Sequence, residues 1–276
     1  MGVKKGSKRG PYRRREREKR YVCSCSFGKD SIATVLLALE MGEPLDAVVY
    51  SEVMFDSERG ISGEMPVHIA WIRDVAIPRL RDMGVNVVHL RGDVDFMDCF
   101  HKEISSGKNR GKKRAFPIAR MCCIQRECKV LPIRKWYREG YFNDGYDVVE
   151  YVGIAIDEVE RLGGLEKSDS VRISKESLLA KYGYTETMAL LKCAEYDLLS
   201  PLYFSGSDRG GCWFCPNQGN GGFARLRRNY PELWGELKLL SREENMASPC
   251  FKYDKTFDDV EMEVDAYEEK YGAWIK

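Results

Sequence analysis

Apolar and polar positions along the chain alternate between short apolar runs and helical periods. Residues 21–25 form a short semi-apolar run without strong helix formers, which predicts a strand. A period of apolar residues at helical spacing follows, at Ile32, Val35, Leu36 and Leu39. Gly42 ends this period, and a turn of small and polar residues, 26–31, separates the strand from the helix. The pattern therefore predicts a strand–turn–helix unit near the start of the chain.

The same alternation continues through the middle of the chain. Further strands are predicted at 47–50, 85–90 and 148–156. Helices are predicted at 66–83, 95–104, 125–139, 185–197 and 231–244, with another in the acidic tail. Repeated strand–helix alternation indicates an α/β fold, a parallel twisted sheet with helices on both faces. We expect a basic flexible arm at 1–20, a nucleotide-binding domain at 21–180 and a mostly helical extension at 181–276 that carries part of a cysteine cluster.

The turn 26–31 has the residues of an anion site. A helix that begins directly after a strand points backbone N–H groups and its dipole at an anion. Ser26 and Ser31 carry hydroxyl donors, Gly28 lets the backbone approach closely, and Lys29 adds a positive charge. This is not the GxxxxGK[ST] loop of common nucleotide triphosphatases. The alternative interpretation is an ordinary serine-containing turn.

The six residues Ser-Phe-Gly-Lys-Asp-Ser resemble the pyrophosphate loop of the adenine nucleotide alpha hydrolase superfamily. That SGGxDS signature has glycine where this chain has Phe27. The form found here is similar to the phosphoadenosine phosphosulfate (PAPS) reductase family. The resemblance implies that the loop binds ATP, PAPS or adenosine 5′-phosphosulfate (APS) with Mg²⁺, and that Lys29 and Asp30 take part in catalysis. The loop residues so implicated are Ser26, Phe27, Gly28, Lys29, Asp30 and Ser31.

Three other segments extend the resemblance to about residues 21–216. The segment from Gly153 through Asp157 to Arg161 is similar to a GxxxDExxR-like segment that faces the nucleotide in the family, which implies catalytic roles for Asp157 and Arg161. Lys129 precedes a Val-x-Pro run and is implied to meet the nucleotide phosphates. Asp56 stands where the family has an Asp-Thr-Gly segment, although an aspartate there can also cap the next helix.

The ten cysteines and the uneven charge distribution limit the classes of function that this chain can have. No apolar run approaches the roughly 20 residues of a membrane span, and no secretory signal is recognisable, so we expect a cytoplasmic protein without membrane contact. Net charge is +1, but residues 4–20 hold ten basic residues against two acids. A second basic stretch spans 108–120. Such runs are either solvated tails or contacts to tRNA or DNA phosphates.

Cys212 and Cys215 form a Cys-x2-Cys motif in a glycine-rich segment. This spacing lets both thiolates reach one metal centre. The tandem pair of Cys122 and Cys123, together with Cys128 and Cys193, supplies candidate partners, and the predicted ligand set is Cys123, Cys128, Cys193, Cys212 and Cys215. Thiolates suit either zinc or a [4Fe–4S] cluster; the resemblance to APS reductases favours the cluster. Cys23, Cys25 and Cys99 have apolar surroundings typical of a core.

One departure from the family bears on the reaction. PAPS and APS reductases carry a C-terminal Glu-Cys-Gly-Leu-His segment whose thiol attacks the sulfonucleotide. This chain has no such segment, and Cys250 is the remaining candidate nucleophile. We therefore expect ATP-dependent sulfur transfer to a nucleic acid, with adenylation, pyrophosphate release and a sulfur-donor protein or thiol reductant. The alternatives are a PAPS or APS reductase that makes sulfite, and a non-catalytic regulator that binds nucleotide and nucleic acid.

Overall fold

The computed structural model describes residues 17–118, 122–165, 170–207 and 210–272. The strands are β1 (Lys19–Ser24), β2 (Ala47–Glu52), β3 (Met54–Asp56), β4 (Ile61–Ser62), β5 (Val87–Arg91), β6 (Asp147–Tyr151) and β7 (Ile173–Glu176). Five of them form a parallel sheet in the order β5-β2-β1-β6-β7, and β3 pairs with β4 in an antiparallel ribbon. The predicted α/β fold is confirmed, with the predicted first strand, β1, at the centre of the sheet.

Twelve α-helices complete the described fold. They are α1 (Lys29–Glu40), α2 (Pro66–Trp71), α3 (Ile77–Asp82), α4 (Phe96–His101), α5 (Leu131–Tyr137), α6 (Val159–Gly163), α7 (Leu178–Lys181), α8 (Glu186–Glu195), α9 (Pro201–Phe204), α10 (Asn220–Asn229), α11 (Pro231–Leu240) and α12 (Phe257–Tyr271). Three π-helical segments adjoin them, at Ile72–Ala76, Gln125–Val130 and Arg138–Phe142. The mostly helical C-terminal region is thereby confirmed. None of the described helices is long and apolar enough to cross a membrane.

Each of two predicted helices runs through a proline without ending there. Pro78 and Pro132 both follow a π-helical segment, and the residue before each proline bonds back over five residues. A proline lacks the N–H of the normal ladder and its ring clashes with the carbonyl four residues earlier. The wider π turn accommodates that mismatch. The helix 125–142 therefore continues beyond its proline along the sheet.

Helices cover both faces of the sheet. On one face α1, α2, α3, α7 and α8 bury a core around Ile32, Leu36 and Ile72. On the other face Tyr137 of α5 packs against Val22 and Val148 of the central strands. A parallel sheet needs this double cover because its strands are apolar on both sides. The strand β7 was not predicted, because its four residues lie at the edge and carry two charges.

A second core, rich in aromatic residues, joins the C-terminal helices to the ribbon β3–β4. Phe55 stacks on Phe96 with ring centroids 5.0 Å apart and contacts Trp213 at 4.4 Å. Trp213 is held further by its backbone and indole N–H groups, which donate to the Gly63 and Ser62 carbonyls. The segment with Cys212 and Cys215 is therefore fixed against the ribbon. Most of the predicted basic arm, residues 1–16, lies outside the described residues.

Candidate functional site

The predicted anion turn lies at the carboxyl end of β1, where α1 begins. Gly28 is the N-cap residue of α1 and no side chain caps the helix there. Ser26 is exposed, whereas Phe27 is fully buried. Open α/β sheets bind ligands at the carboxyl ends of their strands. The turn therefore has the placement that a phosphate loop requires.

Phe27 occupies a left-handed backbone conformation, with φ of 59°. Glycine is the residue that adopts this conformation without cost, and the cost for other residues is roughly 1–2 kcal/mol. The Phe27 ring packs edge-on against Tyr50 at 5.1 Å inside the core, and burial of such a ring contributes about 1.5–3 kcal/mol. Core packing thus offsets the backbone strain. The Phe27 side chain stabilises the fold, and its contact with a nucleotide stays a prediction.

The Lys29 ammonium forms ion pairs with two carboxylates. Its ammonium lies 2.9 Å from Asp30 and 3.0 Å from Glu186, and only 8% of the residue is exposed. Burial opposes the charged form, but the two carboxylates outweigh it and raise the pKa of Lys29. The backbone N–H of Lys29 donates to the Tyr203 hydroxyl at 2.9 Å. In this structure Lys29 and Asp30 brace the start of α1 against α8 and α9.

The hydroxyl of Ser31 also has a local structural role. It donates to the Gly28 carbonyl at 2.9 Å and accepts from the Cys25 thiol at 3.4 Å. Gly153 approaches the same turn from β6: a Cβ there would lie 2.7 Å from both Asp30 C and Ser31 N. Gly153 is therefore next to the loop, as predicted, and its contact is with the loop backbone.

Three other predicted residues lie outside the anion turn: Asp56 ends β3, Asp157 lies in a turn and Arg161 is part of α6. Asp56 accepts a hydrogen bond from the Arg59 backbone at 2.9 Å within the turn that follows β3; the next helix, α2, has Met65 as its N-cap residue, so Asp56 does not cap it. Asp157 accepts from the Glu186 backbone at 3.1 Å. Arg161 pairs with Glu158 and its side chain is 57% exposed. None of the three lines the two cavities described next.

The first cavity lies between the carboxyl ends of the central strands and the helix 125–142, with a volume of about 240 Å³. Its wall includes the start of the anion turn at Ser24 and Ser26. The charged lining residues are Lys129, Arg134, Lys175 and Glu150. Glu150 is partly neutralised because it accepts from Tyr137 at 3.2 Å and pairs with Lys175 at 3.6 Å. The cavity is therefore cationic next to the β1–α1 turn.

The second cavity has a volume of about 830 Å³ and lies between residues 206–207 and 210–222 on one side and the helix 125–142 on the other. Its charged lining residues are Lys129 and Arg225. Three thiols, those of Cys122, Cys212 and Cys215, reach its wall. Lys129 and Gln125 line both cavities. Lys129 therefore lies between the cationic first cavity and the cysteine-lined second cavity. Burial opposes the charge of Lys129, but nearby Glu64 and Cys212 raise its pKa.

The structure divides the predicted cysteine set into three places. Cys193 is buried in the core under α1, where its thiol donates to the Lys29 carbonyl at 3.1 Å. The thiols of Cys123 and Cys128 interact with that of Cys99 in the aromatic core. Cys212 and Cys215 lie instead with Cys122 at the second cavity. Cys123, Cys128 and Cys193 are therefore not brought together with the Cys-x2-Cys motif, and Cys122 takes their place.

Several residues at the cavities carry no sequence signal. Arg134 and Lys175 stand in ordinary amphipathic contexts, and Arg225 lies in an unremarked glycine-rich run. Tyr203 reaches Lys29 from 174 positions away. Only the tandem Cys122–Cys123 pair offered a usable hint, because neighbouring side chains diverge and one of two thiols faces each side. Long-range pairing of this kind becomes visible only in the folded chain.

One curated protein shows detectable similarity to this chain. It is described as an uncharacterized protein of Methanocaldococcus jannaschii, 23% identical over 235 residues, which are 82% of this chain and 42% of the relative. The chain thus spans less than half the length of that relative. No protein-family model and no solved structure matches the chain.

Proposed function

We propose that this protein binds an adenine nucleotide at the β1–α1 turn and uses ATP to transfer sulfur to a nucleic acid. The observation that carries the proposal is the pair of cavities that share Lys129. One adjoins the phosphate loop and is cationic, and the other is lined by three thiols. An enzyme that activates a substrate with a nucleotide and then delivers sulfur needs these two environments side by side.

In the proposed reaction, ATP is cleaved between its α and β phosphates. The AMP group becomes bonded to an oxygen of the acceptor, pyrophosphate leaves, and sulfur then displaces AMP. The hydroxyl of Ser26 binds phosphate oxygens, together with backbone N–H groups of the turn other than those of Phe27 and Lys29, which donate to Cys25 and Tyr203. Lys129 and Arg134 supply charge-assisted contacts, with Mg²⁺ neutralising the leaving pyrophosphate. Lys29 and Asp30 act indirectly, because they hold the first turn of α1 in place.

The donor set at the second cavity fits an iron–sulfur cluster. Thiolates are the ligands such clusters require, and Cys122, Cys212 and Cys215 would hold it. Within the described ranges no three His, Cys, Asp or Glu side chains surround a single metal ion. A zinc ion needs thiolates about 2.3 Å from one point. A cluster takes its cysteine ligands on different iron atoms, so we assign it to the three cysteines of this cavity, and when bound it would supply a site for sulfur.

Cys212→Ser and Cys215→Ser are expected each to lower the iron content by more than half. Cys193→Ser is the matched control, because the Cys193 thiol is buried in the core under α1, which is a different core from the one that Cys212 packs against. The measurement is iron and sulfide content with an absorption spectrum after anaerobic purification. Equal iron loss in Cys193→Ser and Cys212→Ser would contradict the assignment of ligands to the second cavity.

A basic loop supports the choice of a nucleic acid as acceptor. Lys108, Arg110 and Lys112 are exposed, and none of them forms an ion pair within the described part of the chain. Backbone bonds order the loop, including Ile104 N to Lys112 O at 3.0 Å. The chain then runs to Pro117 in the wall of the second cavity. Phosphates bound by this loop would place a nucleotide at that cavity.

The test is pyrophosphate release from ATP in the presence of tRNA or duplex DNA and a sulfide donor. We expect release that depends on nucleic acid and falls steeply with salt. Replacement of Lys108, Arg110 and Lys112 by alanine should reduce the log–log salt slope by roughly one unit per residue. Lys181→Ala and Lys238→Ala, whose lysines are paired with acids, should leave the slope unchanged.

The same assay separates the alternatives. Sulfite released from PAPS or APS, at a rate abolished by Cys250→Ser, would establish a reductase instead. Cys250 is half-buried and does not line either cavity, which is why sulfur transfer is preferred. Nucleotide binding without any turnover would indicate a regulator.

A further inference from the structure

A buried polar cluster lies next to the wall that the two cavities share, and one member of the cluster, Tyr50, lines the first cavity. The hydroxyl of Tyr50, Oε1 of Glu64 and Nε2 of His68 are inaccessible to solvent, and among the described residues none of the three has a partner within hydrogen-bond geometry. The exposed fractions of these residues are 1%, 3% and 1%. Each unsatisfied buried polar atom costs about 1–3 kcal/mol, and native structures contain few of them. The three groups are neighbours, because the charge of Glu64 acts on both Tyr50 and His68.

Glu64 is the centre of this cluster. It forms an isolated antiparallel bridge with Cys212, and directly opposed residues in such a bridge project to the same side. Its Oε1 lies 3.6 Å from the ammonium of Lys129, close enough for an ion pair but beyond hydrogen-bond distance. Glu64 lines neither cavity, whereas Lys129 lines both. The carboxylate therefore stands directly behind the ammonium.

The other members of the cluster leave Lys129 as the cation that Glu64 faces. Nδ1 of His68 is 2.8 Å from the Ser200 hydroxyl, and the ring stacks on Trp71. Burial lowers the pKa of His68, so that its imidazole is neutral at pH 7. Burial also raises the pKa of Tyr50 well above its usual value and keeps the phenol neutral. The charges of Glu64 and Lys129 are thus paired with each other.

We propose that Glu64 is a positioning residue that holds the Lys129 ammonium at the shared wall of the two cavities. The ammonium of a lysine is carried on a flexible four-carbon chain, so it keeps one orientation only when a partner such as this carboxylate binds it. The bridge to Cys212 ties the same carboxylate to the thiol-bearing segment, so that the ammonium keeps a fixed place relative to both cavities. The effect on turnover rests on the proposed function, but the position of Lys129 does not.

The proposal predicts opposite effects on anion binding and on turnover. In Glu64→Gln the ammonium loses a competing carboxylate, and the affinity for inorganic pyrophosphate should rise about three- to tenfold. The rate of pyrophosphate release from ATP should fall, because the ammonium is no longer held in one direction. In a Lys129→Gln background the same substitution should change pyrophosphate affinity less than twofold. Glu43→Gln, which removes another carboxylate bound to a lysine and a tyrosine, is the matched control.

A measurement on the ligand-free protein keeps this test independent of the proposed reaction. Lysines are methylated reductively with ¹³C, and the Lys129 signal is assigned from its loss in Lys129→Gln. Glu64→Gln should shift that signal and Glu43→Gln should not. Glu64→Asp, which keeps the charge on a shorter stem, should give a smaller shift and is the variant used if Glu64→Gln does not fold.

An unchanged Lys129 signal in both Glu64 variants would overturn the proposal. So would a fall in pyrophosphate affinity of equal size in the wild-type and Lys129→Gln backgrounds, since that is the signature of general structural damage. A third outcome separates the two proposals. If neither the wild type nor any variant turns over ATP, but the Lys129 signal shifts as expected, the proposed function is refuted and the position of Lys129 is supported.

Discussion

Replacing Glu52 by glutamine is expected to lower the free energy of unfolding by about 3–5 kcal/mol. The Glu52 side chain is fully buried at the end of β2 and accepts hydrogen bonds from Arg73, His89 and Arg91 at 2.7, 2.8 and 3.0 Å. Glutamine keeps the shape, but it leaves these donors without a negative charge and turns an amide N–H₂ toward them. Urea unfolding followed by circular dichroism measures the loss.

The matched control for this prediction is Glu43→Gln. Glu43 also binds a lysine and a tyrosine, but at the surface, where such pairs contribute about 0–1 kcal/mol. A loss below about 1 kcal/mol in Glu52→Gln, similar to that in the control, would show that the three cations do not depend on this carboxylate.

The effect of Glu52 should also depend on pH. Burial alone would raise the pKa of Glu52, but the hydrogen bonds from His89 and Ser62 and the charge of Arg73 lower it from 4.5 to about 2. Because the folded state binds this proton less tightly than the unfolded chain, the stabilisation is fully present above pH 4.5 and is lost toward pH 2. The shift corresponds to about 3 kcal/mol. The difference between wild type and Glu52→Gln should therefore narrow between pH 5 and pH 3.

Gly153→Ala is expected to weaken ATP binding by about 10- to 100-fold. The added methyl group would lie 2.7 Å from the backbone of Asp30 and Ser31, so that the anion turn and β6 must move apart. Overpacking of this kind costs about 1–3 kcal/mol, and the displaced turn no longer aims its N–H groups at phosphate. Calorimetric titration with ATP and Mg²⁺ gives the change in affinity.

Gly163→Ala is the control for the glycine prediction. A Cβ at Gly163 meets no atom of the described residues within 4 Å, and its φ is not in the left-handed region. Unchanged ATP affinity in both variants would mean that the turn next to Gly153 takes no part in nucleotide binding.

The placement of the anion turn could be predicted because its causes are local. The apolar period of α1 and the small residues before it determine a strand–turn–helix unit regardless of the rest of the chain. The partners of that turn could not be predicted. Glu186 and Tyr203 reach Lys29 from α8 and α9, and no periodicity in the sequence indicates which carboxylate or phenol will arrive there.

The cysteines show the same division between local and long-range information. The Cys-x2-Cys spacing is local, and Cys212 and Cys215 line the same cavity; their shared metal centre stays a prediction. Sequence spacing does not indicate which way a side chain points in a π-helical or irregular segment. Cys128 therefore turned out to face Cys99 in the aromatic core, although helical spacing placed it beside the candidate ligands.

Titration of the anaerobic protein with ATP and Mg²⁺ tests the central claim most directly, namely that an adenine nucleotide binds where the anion turn meets the first cavity. The wild type should bind ATP saturably. Lys129→Met and Arg134→Met should each weaken binding about 10-fold, since one charge-assisted phosphate contact contributes about 1.5–3 kcal/mol. Arg161→Met, which removes an exposed arginine outside both cavities, should bind as the wild type does. Equal ATP affinity in all four proteins, or no binding of ATP, PAPS or APS by the wild type, would contradict the account.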